Sequence, residues 1–86
     1  MIKDSEIYQA LEIASDMAVE VKRARDIYPK FNSTHEGYAI LQEEVDELWD
    51  EIKQKKSDIL KLRNEAIQVG AMAIRFIQDC CEENVS

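Results

Sequence analysis

Apolar positions recur every three or four residues along most of this chain, and the pattern breaks twice. From about residue 4 to residue 27, Ile7, Leu11, Ala14, Ala18 and Val21 fall at helical spacing, which predicts one buried helical face. Pro29 and the small polar residues of "YPKFNST" end that helix in a loop. Asp4 or Ser5 can cap its start. A second helix is expected over residues 34–54. Ser33 followed by Glu36 fits a capping box, and Tyr38, Leu41, Val45, Leu48 and Ile52 form its apolar stripe. The basic turn "KQKKSD" closes it, with Ser57 or Asp58 as the next cap. A third helix, residues 58–81, is apolar nearly all round from Ala66 to Ile77, so it should be buried on most sides. Gly70 lies among small residues there, at a cost of roughly 1 kcal/mol relative to alanine, which points to close helix contact.

Three helices in 86 residues make one domain, residues 1–86, too short for two independent cores. The expected fold is all-α, an antiparallel helical bundle of about three to four helices. A nearly wholly apolar third helix does not close its own core, so completion of the bundle by oligomerisation is expected, as a homodimer or homotetramer. The tail "EENVS" should fray.

Composition narrows the function. A formal charge of −7, from 18 acidic and 11 basic residues, argues against nucleic acid as a partner, because the chain would repel phosphates it must neutralise. A nucleotide is still permitted if a divalent cation stands between carboxylates and phosphates. No apolar run reaches the roughly 20 residues of a membrane span, and "MIKDSEIYQAL" lacks a signal-peptide pattern, so a cytoplasmic protein with no membrane partner is expected. Cys80 and Cys81 are adjacent, which disfavours a bridge between them, and with His35 as the only histidine a zinc site would lack ligands.

Candidate chemistry sits in "LQEEVDELWDEI", residues 41–52, with six acidic side chains in twelve positions. At about 100° per residue, Glu44, Glu47 and Glu51 border the apolar stripe, Asp46 and Asp50 face solvent, and Glu43 lies between. Taken alone, such a run reads as a solvated helix face. The third helix changes that reading. Its few polar residues, Glu65, Gln68, Arg75 and Asp79, fall within about 80° of one another, with Lys61 on the same side. Polar groups on a buried helix must be hydrogen-bonded, paired or metal-bound. Carboxylates at the edges of two facing helices are one way to hold magnesium. Asp79 lies about 21 Å along the axis from Glu65, so it belongs to a neighbouring part of the pocket or to an interface. His35 reads as a surface or capping residue, Tyr38 and Trp49 as core or interface, and Phe31 as a staple for the second helix or a wall of a pocket.

The segments "HEGYAILQEEVDELWDEIK" and "RNEAIQVGAMAIRFIQD" resemble the MazG-like all-alpha nucleoside triphosphate pyrophosphohydrolases over roughly residues 31–79. That family's pattern is E-x-x-E preceded by a further glutamate on one helix, then E-x-x-D on the next. Glu43, Glu44 and Glu47 match the first part and Glu65 the second, whereas Gln68 stands where aspartate is usual. The resemblance implies Mg²⁺-dependent cleavage of a (d)NTP to (d)NMP and pyrophosphate. It implies Glu44, Glu47, Glu65 and Gln68 as metal ligands, and Glu43 or Glu47 as the carboxylate that orients or deprotonates water. Lys61, Arg75 and Lys56 are the candidate substrate-binding cations, with Lys53 and Lys55 in the same turn. Two alternatives stand beside it: a catalytically weak nucleotide- or metal-binding member of the family, and a non-enzymatic helical oligomeric adaptor.

Overall fold

The computed structural model describes residues 3–82, all of them helix or short connection. Helix α1 spans Asp4–Ile27, α2 Thr34–Ile52 and α3 Ile59–Cys80. Each boundary has a local cause. Lys3 is the N-cap of α1, its backbone N–H donating to the Glu6 carboxylate, so Asp4 and Ser5 lie inside the helix. Tyr28, which precedes Pro29, is extended, as the proline ring requires of its neighbour, and α1 stops there. Ser33 Oγ accepts from the Glu36 N–H at 3.0 Å. The Glu36 carboxylate reaches back one residue further than a capping box predicts, to the backbone N–H and side-chain amide of Asn32. The Asp58 carboxylate accepts from the Leu60 N–H and starts α3. Helices α2 and α3 are each two residues shorter than the pattern suggests. The fraying expected of the tail falls, from Glu83 onward, outside the described residues.

Helix α3 is the central element. It packs against both α1 and α2, whose backbones do not approach each other among the described residues. Pairings such as Gly37 with Phe76 make α2 antiparallel to α3, and the Asp16–Arg63 and Arg25–Asp79 ion pairs make α1 parallel to it. The result is an up-down-up arrangement with a cleft between α1 and α2, floored by α3. A small core of Val21, Ala24, Phe31, Ala71 and Met72 lies under that cleft. Gly70 does serve close contact, since Met17 of α1 occupies the space a Cβ would need.

Two stripes are rotated from their expected positions. In α1 the residues turned towards α3 are Met17, Val21 and Ala24; of the expected stripe Val21 is buried there, while Ile7, Leu11, Ala14 and Ala18 lie about 90° round the helix. That stripe was expected to be buried; instead Leu11 is 61% exposed. In α2 the inward residues are Gly37, Ile40, Leu41 and Leu48, while Tyr38, Val45, Trp49 and Ile52 stand in solvent. Helix α3 is enclosed along Ala66–Ile77 as expected, with only the two end residues of that stretch exposed, while Ile59 and Leu60 of its first turn stand in solvent. The physical reason is common to both rotated stripes: one central helix has too little surface to cover every apolar face of two neighbours. Accessible area is 6723 Å², against about 5,200 Å² for a compact monomer of this mass.

Candidate metal centre

The same rotation brings Glu44 to the middle of the inward face of α2 rather than to its border, within about 20° of the centre of Gly37, Ile40, Leu41 and Leu48. There it meets Glu47, one turn on, and Glu65 from α3. One carboxylate oxygen from each of the three lies within 4.8 Å of the others. Oxygens around a single magnesium stand about 3–4 Å apart, so small side-chain adjustments close the cluster on a cation.

Electrostatics at the cluster are unfavourable without one. Glu44 Oε2 and Glu65 Oε2 are both buried and have no hydrogen-bond partner. Burial, and then the neighbouring Glu47, Glu65 and Glu43, push the Glu44 carboxyl up to about 7. The Glu65 carboxyl is raised as well, first by burial and then by Glu47 and Glu51. Two orphaned buried oxygens among like charges are costly for a fold to keep. Hard oxygen donors of this kind fit a hard divalent cation, and the residues present therefore fit the group.

The remaining candidates divide into those at the cleft and those away from it. A cavity of about 320 Å³ adjoins the cluster, and Glu43, Glu44, Gln68 and Arg75 line it. Glu43 is exposed at its edge. Arg75 is only 2% exposed. Its Nη2 donates to the Pro29 carbonyl at 3.1 Å, its Nη1 contacts Met72 Sδ, and its guanidinium lies 4.4 Å from the Phe31 ring centroid. Nε has no partner, and burial lowers the pKa of the group. Lys61 and Lys56 are exposed and do not line this cavity. Phe31 both packs on α2 at Gly37 and walls the cavity, so its two expected roles coexist.

Asp79 has a structural assignment. Its carboxylate, in a side chain 1% exposed, accepts from Arg25 at 2.6 and 2.9 Å and from the Phe31 N–H at 3.0 Å. The Arg25 bond holds its pKa below the usual carboxylate value. This contact fixes the α1–α2 loop to the end of α3 and so closes one end of the cleft.

Helix α1 supplies two cleft residues that the sequence pattern did not single out, Glu20 and Arg23. Arg23 Nε donates to both oxygens of Glu20, at 2.9 and 3.1 Å. Their signal was present: Glu20 lies within about 60° of Met17 and Ala24, but that face goes unnoticed beside the stronger stripe at Ile7 and Leu11.

Comparison with protein-family models, with curated proteins and with solved structures finds no match. The site therefore rests on its own geometry. Among the described residues, no helix is long and apolar enough to cross a membrane.

Proposed function

We propose that this chain is a Mg²⁺-dependent nucleoside triphosphate pyrophosphohydrolase, converting a (d)NTP to (d)NMP and pyrophosphate, as the resemblance to MazG-like proteins implies. The observation that carries the reading is the pair of buried, unpartnered oxygens of Glu44 and Glu65 within a three-carboxylate cluster. When bound, magnesium supplies charge neutralisation for phosphates and a water of lowered pKa. Glu44, Glu47, Glu65 and the Gln68 carbonyl would hold it. Glu43, exposed where the cavity meets solvent, or Glu47 orients the attacking water and accepts its proton. Arg75, buried in the cavity with Nε unpartnered, offers a fixed positive charge to the nucleotide. Lys61 and Lys56, outside the cavity, add attraction over a longer range.

The uncovered stripe of Ile7, Leu11, Ala14 and Ala18 supports an oligomer. Roughly 1,500 Å² of area beyond that of a compact monomer is more than the about 800 Å² each partner contributes to a standard interface. A second copy that buries this stripe gives a homodimer, and a further apolar surface at Trp49 and Ile52 permits a homotetramer.

Incubation with a panel of nucleoside and deoxynucleoside triphosphates, with and without Mg²⁺, tests the reading. Mg²⁺-dependent pyrophosphate release that Glu44→Gln and Glu65→Gln abolish is the expected result. No release at high protein concentration overturns it. A second reading, a nucleotide- and metal-binding protein with weak turnover, is favoured by Gln68 alone. It predicts Mg²⁺-dependent nucleotide binding in calorimetry with no pyrophosphate formed.

A further inference from the structure

Most of the exposed apolar residues lie on one face of the three helices, and the cleft lies on the other. In α1, taking Met17 as zero, Glu20 and Arg23 line the cavity at about −60° and −120°, whereas Ala14, Ala18 and Leu11 fall at about +60° to +120°. In α2, measured from Glu44, Ile40 and Glu43 line it at about −40° and −100°, and Ile52, Val45, Tyr38 and Trp49 lie at about +80° to +140°. In α3, measured from Met72, Gln68 and Arg75 line it at about −40° and −60°, and Ala66, Ile59 and Ile77 lie at about +120° to +140°. Every residue on the positive side of these three sets is exposed. The approaches of Asp16 to Arg63, Glu44 to Glu65 and Gly37 to Phe76 set the helices side by side. The three sectors therefore join into one surface behind the cleft.

That surface carries no charge. Over residues 7–18, 38–52 and 59–77, no Asp, Glu, Lys or Arg falls within these sectors, although 34% of the chain is charged and its formal charge is −7. Two copies of so acidic a chain repel each other, and a two-fold contact sets residues near the axis against their own copies. A charge-free patch is where such a pairing brings no like charges together. Area agrees with this. Accessible area is 6723 Å², roughly 1,500 Å² above that of a compact monomer. Removing that excess from each of two copies buries about 3,000 Å² in total, a value in the range of obligate homodimers.

We infer that a second copy docks back to back on this single face of three helices, with the two clefts turned outward. The inference rests on the oligomer reading above and sharpens it. Trp49 and Ile52 belong to the same interface as the α1 stripe, so the assembly is a homodimer, and each cavity is walled by its own chain. Exposure alone does not define the seam. Val19 is 68% exposed, yet it lies about 160° from Met17 on the side away from the stripe. Leu60, also exposed, lies about 120° from Met72 on the cleft side.

The test is sedimentation velocity on the full chain over a concentration series, with the emission of Trp49, the only tryptophan, followed in parallel. The wild type should sediment as a dimer. Its emission should lie at shorter wavelength than that of the monomer, reached by dilution or in Ala66→Glu. One charge on each helix, Leu11→Asp, Val45→Glu or Ala66→Glu, should weaken the dimer about a hundredfold or more, because the partner offers nothing to pair with it. Val19→Asp and Leu60→Asp, off the face, should leave the dimer constant within about twofold. Circular dichroism checks that each variant keeps its helices, and where one does not, the wild-type dilution series still decides. A dimer that only Leu11→Asp dissociates, a dimer whose Trp49 emission equals that of the monomer, or a wild-type tetramer would overturn the single face and leave the oligomer reading standing. A wild type that stays monomeric at high concentration overturns both.

Discussion

Replacing Glu44 by glutamine should stabilise the metal-free protein at pH 8 and leave it almost unchanged below pH 4.5. The Glu44 carboxyl titrates near 7 instead of 4.5, so the folded state holds its proton more tightly than the unfolded state. Below pH 4.5 both states are protonated and nothing is lost. As the pH rises from 4.5 to about 7, the unfolded chain gives up the proton first and folded stability falls. Above 7 the penalty is complete. A displacement from 4.5 to about 7 corresponds to about 3 kcal/mol as an upper bound. The cluster is partly open to solvent, and screening reduces this to about 1–2 kcal/mol. For a domain of this size that is roughly 5–10 °C in Tm.

Thermal melts of the wild type and Glu44→Gln at pH 4.5 and pH 8, each with and without Mg²⁺, measure this directly. Expected is a higher Tm for the variant at pH 8 without metal. Mg²⁺ should raise the wild-type Tm at pH 8, since a cation bound only by the folded state adds stability by mass action, and should do little for the variant. The reasoning is refuted if Glu44→Gln lowers the Tm at pH 8 without metal, or if Mg²⁺ stabilises both proteins equally.

Three further outcomes follow from other contacts. Asp79→Asn should cost about 2–4 kcal/mol in urea unfolding at pH 7, because it removes the charge facing Arg25 in a buried side chain; since the Asp79 pKa is lowered from 3.8, the stability it contributes is complete above that value and is lost as the pH falls through the lower folded one. Gly37→Ala would place a Cβ 2.7 Å from the Phe76 ring and 3.1 Å from Phe31. Overpacking of about 1–3 kcal/mol should outweigh the gain in helix propensity, and unfolding midpoints will show it. Leu11→Asp should convert a wild-type dimer or tetramer to monomer in light scattering, and a monomeric wild type would remove the argument for a partner.

How much of this could be seen in the sequence depends on the kind of signal. Helix limits were legible because their causes are local: Pro29, Ser33 with Glu36, and Asp58 act within a few residues of themselves. The grouping of Glu44, Glu47 and Glu65 was legible too, since spacing on each helix restricts which carboxylates can face across. Which apolar stripe faces α3 was not. Helix α1 carries two apolar faces, one through Ile7 and Leu11 and one through Met17 and Ala24, and period alone selects the more hydrophobic. That choice hid Glu20 and Arg23. Asp79 was ambiguous for a related reason: its partner Arg25 is 54 residues away, and nothing local to either residue announces the pair.

The two faces of α1 also divide the labour of the molecule. At its C-terminal end, Arg25 and Ala24 are engaged with α3 and the loop, and Asp79, Phe31 and Arg75 lock that end of the cleft. These contacts are made within one chain, so the cavity wall does not wait on a partner. At its N-terminal end, Ile7, Leu11 and Ala14 are uncovered, and the exposed Asp16–Arg63 pair is worth little on its own. A change at the uncovered stripe should therefore weaken assembly and global stability together, while cation affinity per folded chain stays near its wild-type value. A change at Arg25 or Asp79 should do the opposite, disturbing the cleft within a chain that still associates. The proposed seam and the proposed cation site lie towards opposite ends of one helix, and that separation is what should keep their failures distinct.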